Sequence, residues 1–461
     1  MIVGRIRCLL DLPWLCRAII VRKYGTDART WKQRYYTNDS FYVANAGGPV
    51  FLMIGGEGEA TAKWMIEGAW IDYAQRFGAL CFQLEHRFYG KSMPRDDLST
   101  KNLQYLSSQQ ALADLATFIQ AMNDKYTLDT STKWIVFGGS YPGSLAAWMR
   151  MKYPHLVHGA MSASGPLLAQ TDFKDYYKVV DEALRTYSDE CLNQVQQGTK
   201  QIDILLRHMV GQRSVNKKFR LCDPIEKSIE NTNDVSNFYE ALASNFAGVV
   251  QYNKDNRKGK SAKGSNITID TLCDIMTDDK LGSSLDRLAN INSLLLDTYE
   301  QKCLDYKYDK MINELRNVST AGEGARQWTY QTCTEFGFFQ TSSYLPQVFG
   351  NSFPVEFFAQ MCVDIFGPKF NMEYLDKATQ RTNTMYGGLD IEVDNVVFVH
   401  GSIDPWHALG ITKTRDNKAP AIYIEGTAHC ANMYPKSEKD LPQLQAAREQ
   451  IADLIDSWIR L

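Results

Sequence analysis

The sequence predicts an α/β protein interrupted by a helical insert, and three observations lead there. From Pro49 to about residue 167, short apolar runs that read as buried strands alternate with amphipathic helical stretches. Between about 168 and 385 strand-like runs nearly vanish, long helical stretches take over, and six of the ten cysteines fall there. The strand pattern then resumes and ends in an amphipathic helix, Leu444–Leu461. Residues 28–167 and 386–461 are therefore read as two parts of one α/β domain. Residues 168–385 are a cap inserted into it, and 1–27 are an atypical N-terminal segment.

Each element has its own signal. Val50–Ile54 (VFLMI) is an apolar run stopped by Gly55-Gly56, and Ala79–Leu84 is a second such run. Ser107–Tyr126 sets Ala111, Leu112, Leu115, Phe118, Ile119 and Met122 at helical spacing. Trp134–Phe137 reads as a strand, Ser144–Tyr153 as a helix and Val157–Ser162 as the next strand. In the insert, Tyr176–Leu206 and Asp286–Leu315 read as long helices. Val396–Val399 and Ala421–Ile424 are the last two strands. Strands alternating with helices imply a parallel sheet with helices on both faces.

Composition narrows the function classes. Of 461 residues, 44% are hydrophobic and 22% charged, so a large buried core is expected. The net charge is -3 and no long Lys/Arg run is present, which argues against nucleic acid or an anionic membrane as partner. The one basic polar stretch, Asn253–Lys263, reads as a solvated loop. No run approaches about 18 apolar residues, so no transmembrane helix is predicted. No C-x-x-C pair occurs, and no metal or cofactor is expected. Cys191, Cys222, Cys273, Cys303, Cys333 and Cys362 are even in number and widely spaced, as in disulfide-linked chains of an oxidising compartment. Sequons at Asn38, Asn266 and Asn317 agree with passage through the secretory pathway. Met1–Lys23 carries Arg5 and Arg7, but Asp11, Pro13 and Arg17 break its apolar stretch, so it lacks the form of a signal peptide.

The chemistry centres on WIVFGGSYPGSLAAW, residues 134–148. An apolar strand runs into Gly138-Gly139-Ser140-Tyr141-Pro142-Gly143 and then a helix, as in a nucleophile elbow. The second glycine of G-x-S-x-G is replaced by Pro142, which the first helical turn tolerates. A serine nucleophile needs a base, and the base an orienting acid, in the order Ser, Asp/Glu, His. Of seven histidines, His86, His155, His158 and His208 lie before or in the insert. His400 ends a strand as a packed core residue, and His407 is too close in sequence to Asp404. His429 follows the strand Ala421–Ile424 across a short loop, and Asp404 follows the strand before it. Loops at the same edge of a parallel sheet converge where ligands bind. Ser140, Asp404 and His429 are thus the candidate triad. Oxyanion donors are expected from the Tyr141 N–H and from the glycine loop after Ile54, at Gly56.

With these residues placed, the chain resembles the serine peptidases that include lysosomal Pro-Xaa carboxypeptidase, dipeptidyl peptidase II and thymus-specific serine protease. The stretches that carry the resemblance are TWKQRYYTNDSFY (30–42), FLMIGGEGEA (51–60), LEHRFYGKSMP (84–94), 137–167, WTYQTCTEFGFFQT (328–341), VVFVHGSIDPWHALG (396–410) and GTAHCANMYP (426–435). The Tyr-Pro-Gly after the serine is nearest the thymus-specific type. The resemblance implies an α/β-hydrolase fold with a helical, disulfide-linked cap. It also implies a lysosomal or extracellular peptidase acting on peptides through an acyl-enzyme on Ser140, an exopeptidase acting after proline in some members. It implies the pairs Cys191–Cys273, Cys222–Cys303 and Cys333–Cys362, with Cys81 and Cys430 free, and a homodimer is compatible with it. Two departures stand out. Trp14–Tyr24 does not match the family stretch expected before residue 28, and Ser144 stands where proline-cleaving members carry a methionine.

Substrate contacts are expected from four side chains. Trp406 and Met433 would line an apolar pocket. Glu335, an acid among Trp328, Tyr330, Phe336, Phe338 and Phe339, either holds the cap to the catalytic domain or reads a free N-terminal amine. Glu57, with Glu59, is the rival for that second role. Two other functions fit the same residues: an esterase or acyltransferase using this triad, and an inactive binding protein on a hydrolase scaffold.

Overall fold

The computed structural model describes residues 17–22, 25–43, 47–255 and 263–460. Its strands are β1 (Arg17–Arg22), β2 (Gly25–Lys32), β3 (Tyr35–Asn38), β4 (Val50–Ile54), β5 (Leu80–Leu84), β6 (Trp134–Gly139), β7 (Gly159–Ala163), β8 (Gln170–Asp172), β9 (Gly337–Phe339), β10 (Val396–Gly401) and β11 (Ala421–Ile424). Seven of them form one sheet in the order β11-β10-β7-β6-β4-β5-β3. Only β3 runs antiparallel in it, at the edge. β1 and β2 make a separate hairpin.

The interior parallel strands are buried on both faces, which explains their continuous apolar runs, while β11 at the edge is part-exposed. Alternate residues still divide between two cores. Val50, Leu52 and Ile54 join the larger core, while Phe51 and Met53 join the smaller one on the opposite face. The helices around this sheet are α1 (Ala69–Phe77), α2 (Thr100–Leu103), α3 (Ser108–Tyr126) and α4 (Tyr141–Lys152). The larger core takes the apolar side of α3 and α4, while α1 and the C-terminal helix pack into the smaller core. After β4 the chain builds β5 on one side and then returns to place β6 on the other. The loops after β4 and β6 therefore part at a topological switch point, where a parallel sheet opens a crevice.

Between β7 and β10 the chain is mainly helical: α5 (Asp175–Arg185), α6 (Asp189–Leu206), α7 (Met209–Lys218), α8 (Thr232–Gln251), α9 (Ile269–Thr277), α10 (Ser284–Thr298), α11 (Tyr308–Leu315), α12 (Ala325–Gln331), α13 (Val355–Phe366) and α14 (Met372–Tyr386). A closing helix, α15 (Pro442–Arg460), returns to the sheet. The parallel pair β8 and β9 joins the start of this region to its later part. The three disulfides pair Cys191 with Cys273, Cys222 with Cys303 and Cys333 with Cys362. Cys81 and Cys430 are buried and unbridged. Of the basic stretch Asn253–Lys263, residues 256–262 lie outside the described residues, as do 1–16 of the N-terminal segment.

Three local expectations need correction. Tyr176–Leu206 is two helices, because Ser188 caps a new one by accepting the Cys191 N–H. Asp286–Leu315 is likewise divided, with Cys303 tethered between α10 and α11. Asn38 is no glycan acceptor in the folded chain: it is 5% exposed, and its Nδ2 donates to the Met65 carbonyl at 2.7 Å. Its place on an edge strand turned this side chain inward, where Asn266 and Asn317 stay exposed.

Candidate active site

The turn after β6 is shaped by close backbone approach. Ser140 has φ 64°, ψ -138°, a conformation that an L-residue holds only under strain. A Cβ on Gly138 would sit 1.9 Å from the Pro142 carbonyl oxygen. One on Gly139 would strike Met433 and Cys430, and one on Gly143 the Ala163 carbonyl. Ser140 N–H donates to Ala163 at 2.9 Å, while the Ser140 carbonyl accepts from Gly143 at 2.8 Å. Helix α4 thus begins at Tyr141, three residues before the sequence pattern suggested, with Pro142 in its first turn. The loop after β4 lies against it, since a Cβ on Gly56 would meet the Pro142 ring at 2.7 Å.

Asp404 and His429 meet from the loops after β10 and β11. His429 Nδ1 donates to Asp404 Oδ1 at 2.9 Å, and the Trp406 N–H donates to the same oxygen at 3.0 Å. That bond fixes the tautomer, leaving Nε2 as the nitrogen able to take a proton. Burial alone would raise the pKa of Asp404, but the charge and hydrogen bond of His429 bring it below the usual carboxylate value. Burial works the other way on His429, and the Asp404 charge outweighs it, holding that imidazole well above its ordinary pKa. The Ser164 hydroxyl lies against the Asp404 carboxylate and accepts the Cys430 N–H at 2.9 Å. Ser140 and His429 line one cleft with Gly56, Glu57, Trp64, Tyr252, Met433 and others, about 470 Å³ in volume. Among the described residues no hydrogen bond joins Ser140 to His429; in unliganded hydrolases that bond commonly tightens only on binding.

The insert reaches this cleft through residues that sequence reasoning missed. Gln251, at the end of α8, accepts the His429 N–H on its carbonyl at 3.0 Å. Its side-chain oxygen accepts from the Trp406 indole at 2.9 Å and from the Tyr176 hydroxyl at 2.7 Å. Gln331 accepts from the Tyr89 hydroxyl at 2.7 Å and donates to the Tyr141 hydroxyl at 3.1 Å. His86 completes this chain. Its Nδ1 faces the Arg87 carbonyl at 2.7 Å, so Nε2 accepts from Tyr141 at 3.0 Å. Burial lowers the His86 pKa to about 4 and keeps the ring neutral. No local signal marks Gln251 or Gln331, because their partners lie far away in sequence.

The expected substrate residues separate. Met433 and Glu57 line the cleft. Trp406 is buried behind the base, among Phe173, Tyr176 and Phe338, with its ring 6.4 Å from His429. Glu335 corrects the expectation of an amine reader. Its carboxylate accepts from the Ser108 N–H at 3.0 Å and from the Ser108 hydroxyl at 2.7 Å, capping the start of α3. It borders a different cavity, with Tyr105, Lys152, Arg381 and Tyr386. The free N–H at a helix N-terminus attracts a carboxylate, and this one ties the insert to the sheet domain. Burial pushes the Glu335 carboxyl up to about 7. His400 is buried as a core residue, with its pKa lowered to about 4 by burial.

A seven-stranded sheet, a strained serine after its central strand and an Asp–His pair on the loops that follow have the architecture of an α/β-hydrolase. The profile described as serine carboxypeptidase S28 matches residues 24–451. The chain belongs to the S28 serine carboxypeptidase family. It is 35% identical to the thymus-specific serine protease of Mus musculus over 451 residues, covering 95% of this chain and 85% of that one. It is 26% identical to the lysosomal Pro-X carboxypeptidase of Homo sapiens over 442 residues, covering 94% and 85%. Among solved structures, a proline iminopeptidase of Mycobacterium smegmatis aligns with a TM-score of 0.35 and 10% identity, covering 96% of this chain and 99% of that one. This S28 chain is a serine-type peptidase, a hydrolase. Its three disulfides suit a lumenal or secreted protein. Among the described residues, no helix is long and apolar enough to cross a membrane.

Proposed function

We propose that this S28 peptidase cleaves peptide bonds through an acyl-enzyme on Ser140, with His429 as base and Asp404 as the acid that orients it. The 2.9 Å bond between His429 Nδ1 and Asp404 Oδ1 carries the reading, because it aims the free nitrogen of a buried imidazole into the cleft that Ser140 lines. His429 takes the Ser140 proton as Oγ attacks the scissile carbonyl, then returns it to the leaving amine. Water repeats the cycle on the ester. The N–H groups of Tyr141 and Gly56 receive the oxyanion. This is supported by the position of Tyr141 at the first turn of α4, where N–H groups lack intrahelical acceptors, and by the packing of Gly56 on Pro142.

The finer reading is an exopeptidase acting after proline in a lysosomal or extracellular setting. It is supported by likeness to the human lysosomal Pro-X carboxypeptidase and by the apolar wall that Met433 gives the cleft. Ser144 is turned away from that wall, buried with its hydroxyl on the Pro166 carbonyl at 2.7 Å. A fluorophosphonate probe tests the core of the proposal. Labelling of the wild type that Ser140→Ala abolishes is the expected result. Labelling at another residue, or none on folded protein, sinks it. Paired peptide amides with proline or alanine before the cleaved bond test the finer reading.

A further inference from the structure

Loops of the sheet domain carry Ser140, Asp404 and His429, yet the last two are braced from the insert by one residue, Gln251. It ends α8, a helix of 20 residues and so about 30 Å long. That helix is anchored along its length. Asn231 caps its start, Asn237 Nδ2 donates to the Tyr306 carbonyl at 2.9 Å, and Phe238, Leu242, Ala243, Phe246 and Val250 are buried in the larger core. Just beyond its end, the Asn253 side chain accepts the Ile269 N–H at 3.0 Å at the start of α9, which Cys273 ties to Cys191 of α6. The end of α8 is therefore a fixed point of the insert.

Gln251 uses that point twice. Its carbonyl is among the last four of a helix, which lack intrahelical donors, and it accepts the His429 N–H at 3.0 Å. Its side-chain oxygen accepts from the Trp406 indole at 2.9 Å and from the Tyr176 hydroxyl at 2.7 Å. An indole N–H only donates, so the oxygen end of the amide must face it. Trp406 gives its main-chain N–H to Asp404 Oδ1 at 3.0 Å, the oxygen that also holds His429 Nδ1. Gln251 thus reaches the base through its main chain and the acid through its side chain. Trp406 and Tyr176 are buried, so losing that side-chain oxygen would leave two donors without it and let the Trp406 loop move. The carbonyl end of a helix also carries partial negative charge, which favours an imidazole that turns positive as it takes a proton.

We infer that Gln251 is a positioning residue, which sets the geometry of the Asp404–His429 pair from the insert, so that the pair is in working order only while the insert is seated on the sheet domain. This rests on the roles proposed for Ser140, Asp404 and His429, and the test separates the two. Among the described residues, the titratable groups that face His429 are Asp404, Cys430, Glu57, His400 and Tyr252. The variants below leave all of them in place.

The readout is the rate of fluorophosphonate labelling per labelled molecule, followed against pH. Its rise with pH reports the loss of the His429 proton, whereas a merely structural defect lowers the labelled fraction and not the rate. Gln251→Leu keeps the bulk and removes the acceptor. It should lower the plateau rate by about tenfold, the worth of one hydrogen bond. It should also move the rise to lower pH, because a loosened Asp404 supports the imidazolium less. Gln251→Glu keeps an acceptor oxygen for Trp406 and Tyr176 and adds a negative charge. It should retain most of the plateau rate and move the rise to higher pH by about one unit. Tyr176→Phe should act as a weaker Gln251→Leu. An unchanged rate and an unchanged rise in Gln251→Leu overturn the inference, even if that protein melts at a lower temperature. Should Gln251→Leu give no folded protein, unchanged profiles in both Gln251→Glu and Tyr176→Phe overturn it instead. Labelling that His429→Ala leaves at the wild-type rate would refute the triad itself, and the inference with it.

Discussion

The sheet region and the helical insert are held by different means. Around Ser140, backbone packs on backbone: Gly138 against Pro142, Gly143 against Ala163, Gly401 against Thr427. In the insert, helices are joined by the three disulfides and started by capping side chains such as Ser188, Asn231, Thr268 and Ser283. The first arrangement has no room for a single methyl group. The second tolerates changes of shape but depends on a few links. The insert still reaches the site, because Gln251, Gln331 and Gly324 are among its contacts with the base, the residue after the nucleophile and Glu57. Precision thus belongs to the sheet, while the insert sets what the cleft is closed with.

The sharpest way to break this contrast is Gly138→Ala. The added Cβ meets backbone atoms that cannot move without unwinding the start of α4, so activity should vanish and soluble yield should fall. Near-normal activity would mean that the elbow is far softer than its contacts imply. Next in size is Asp404→Asn, expected to reduce kcat by about 10⁴ while the fold persists, because the amide favours the wrong tautomer of His429. Steady-state kinetics on a peptide amide measures it, and a loss under tenfold would point to another orienting acid.

On the insert side, replacing Cys333 and Cys362 by alanine should cost about 3 kcal/mol of stability by releasing the constraint on the unfolded chain. Denaturant unfolding would show this as a lower midpoint, with fluorophosphonate labelling kept under native conditions. Immediate loss of labelling would show that the link shapes the cleft as well as the insert. The smallest effect is one of pH. The Glu335 pKa is raised from 4.5 to about 7, so its contribution to stability is full below the lower value and is lost as pH rises through the higher. The whole difference amounts to roughly 3 kcal/mol at most. Glu57 and Asp181, raised to about 7 and about 8 by burial, act in the same direction. The melting temperature should therefore fall between pH 5 and pH 8, and Glu335→Gln should make that fall shallower. An unchanged slope would assign the pH dependence to the other two acids.

Much of this molecule was legible in the sequence, for reasons that are local. A continuous apolar run that buries both faces reads as an interior strand, so β4 matches its predicted ends, and the short apolar run Ala421–Ile424 also marks β11, although that strand lies part-exposed at the sheet edge. The glycines beside Ser140 announce a turn too tight for side chains, and the chain order of Ser140, Asp404 and His429 follows from which strand ends share one edge of a parallel sheet. What the tertiary structure alone decided involves partners far apart in the chain. Ser108 lies 227 residues from Glu335, and that contact makes an apparent substrate reader into a helix cap. Met65 lies 27 residues from Asn38, and its carbonyl takes the nitrogen that a glycan would need. Tyr141 lies 190 residues from Gln331. Hydrophobic period and backbone sterics act over a few residues, so they can be read along the chain. A buried polar atom must satisfy itself with whatever group folding brings within about 3 Å, and no local pattern records which group that will be.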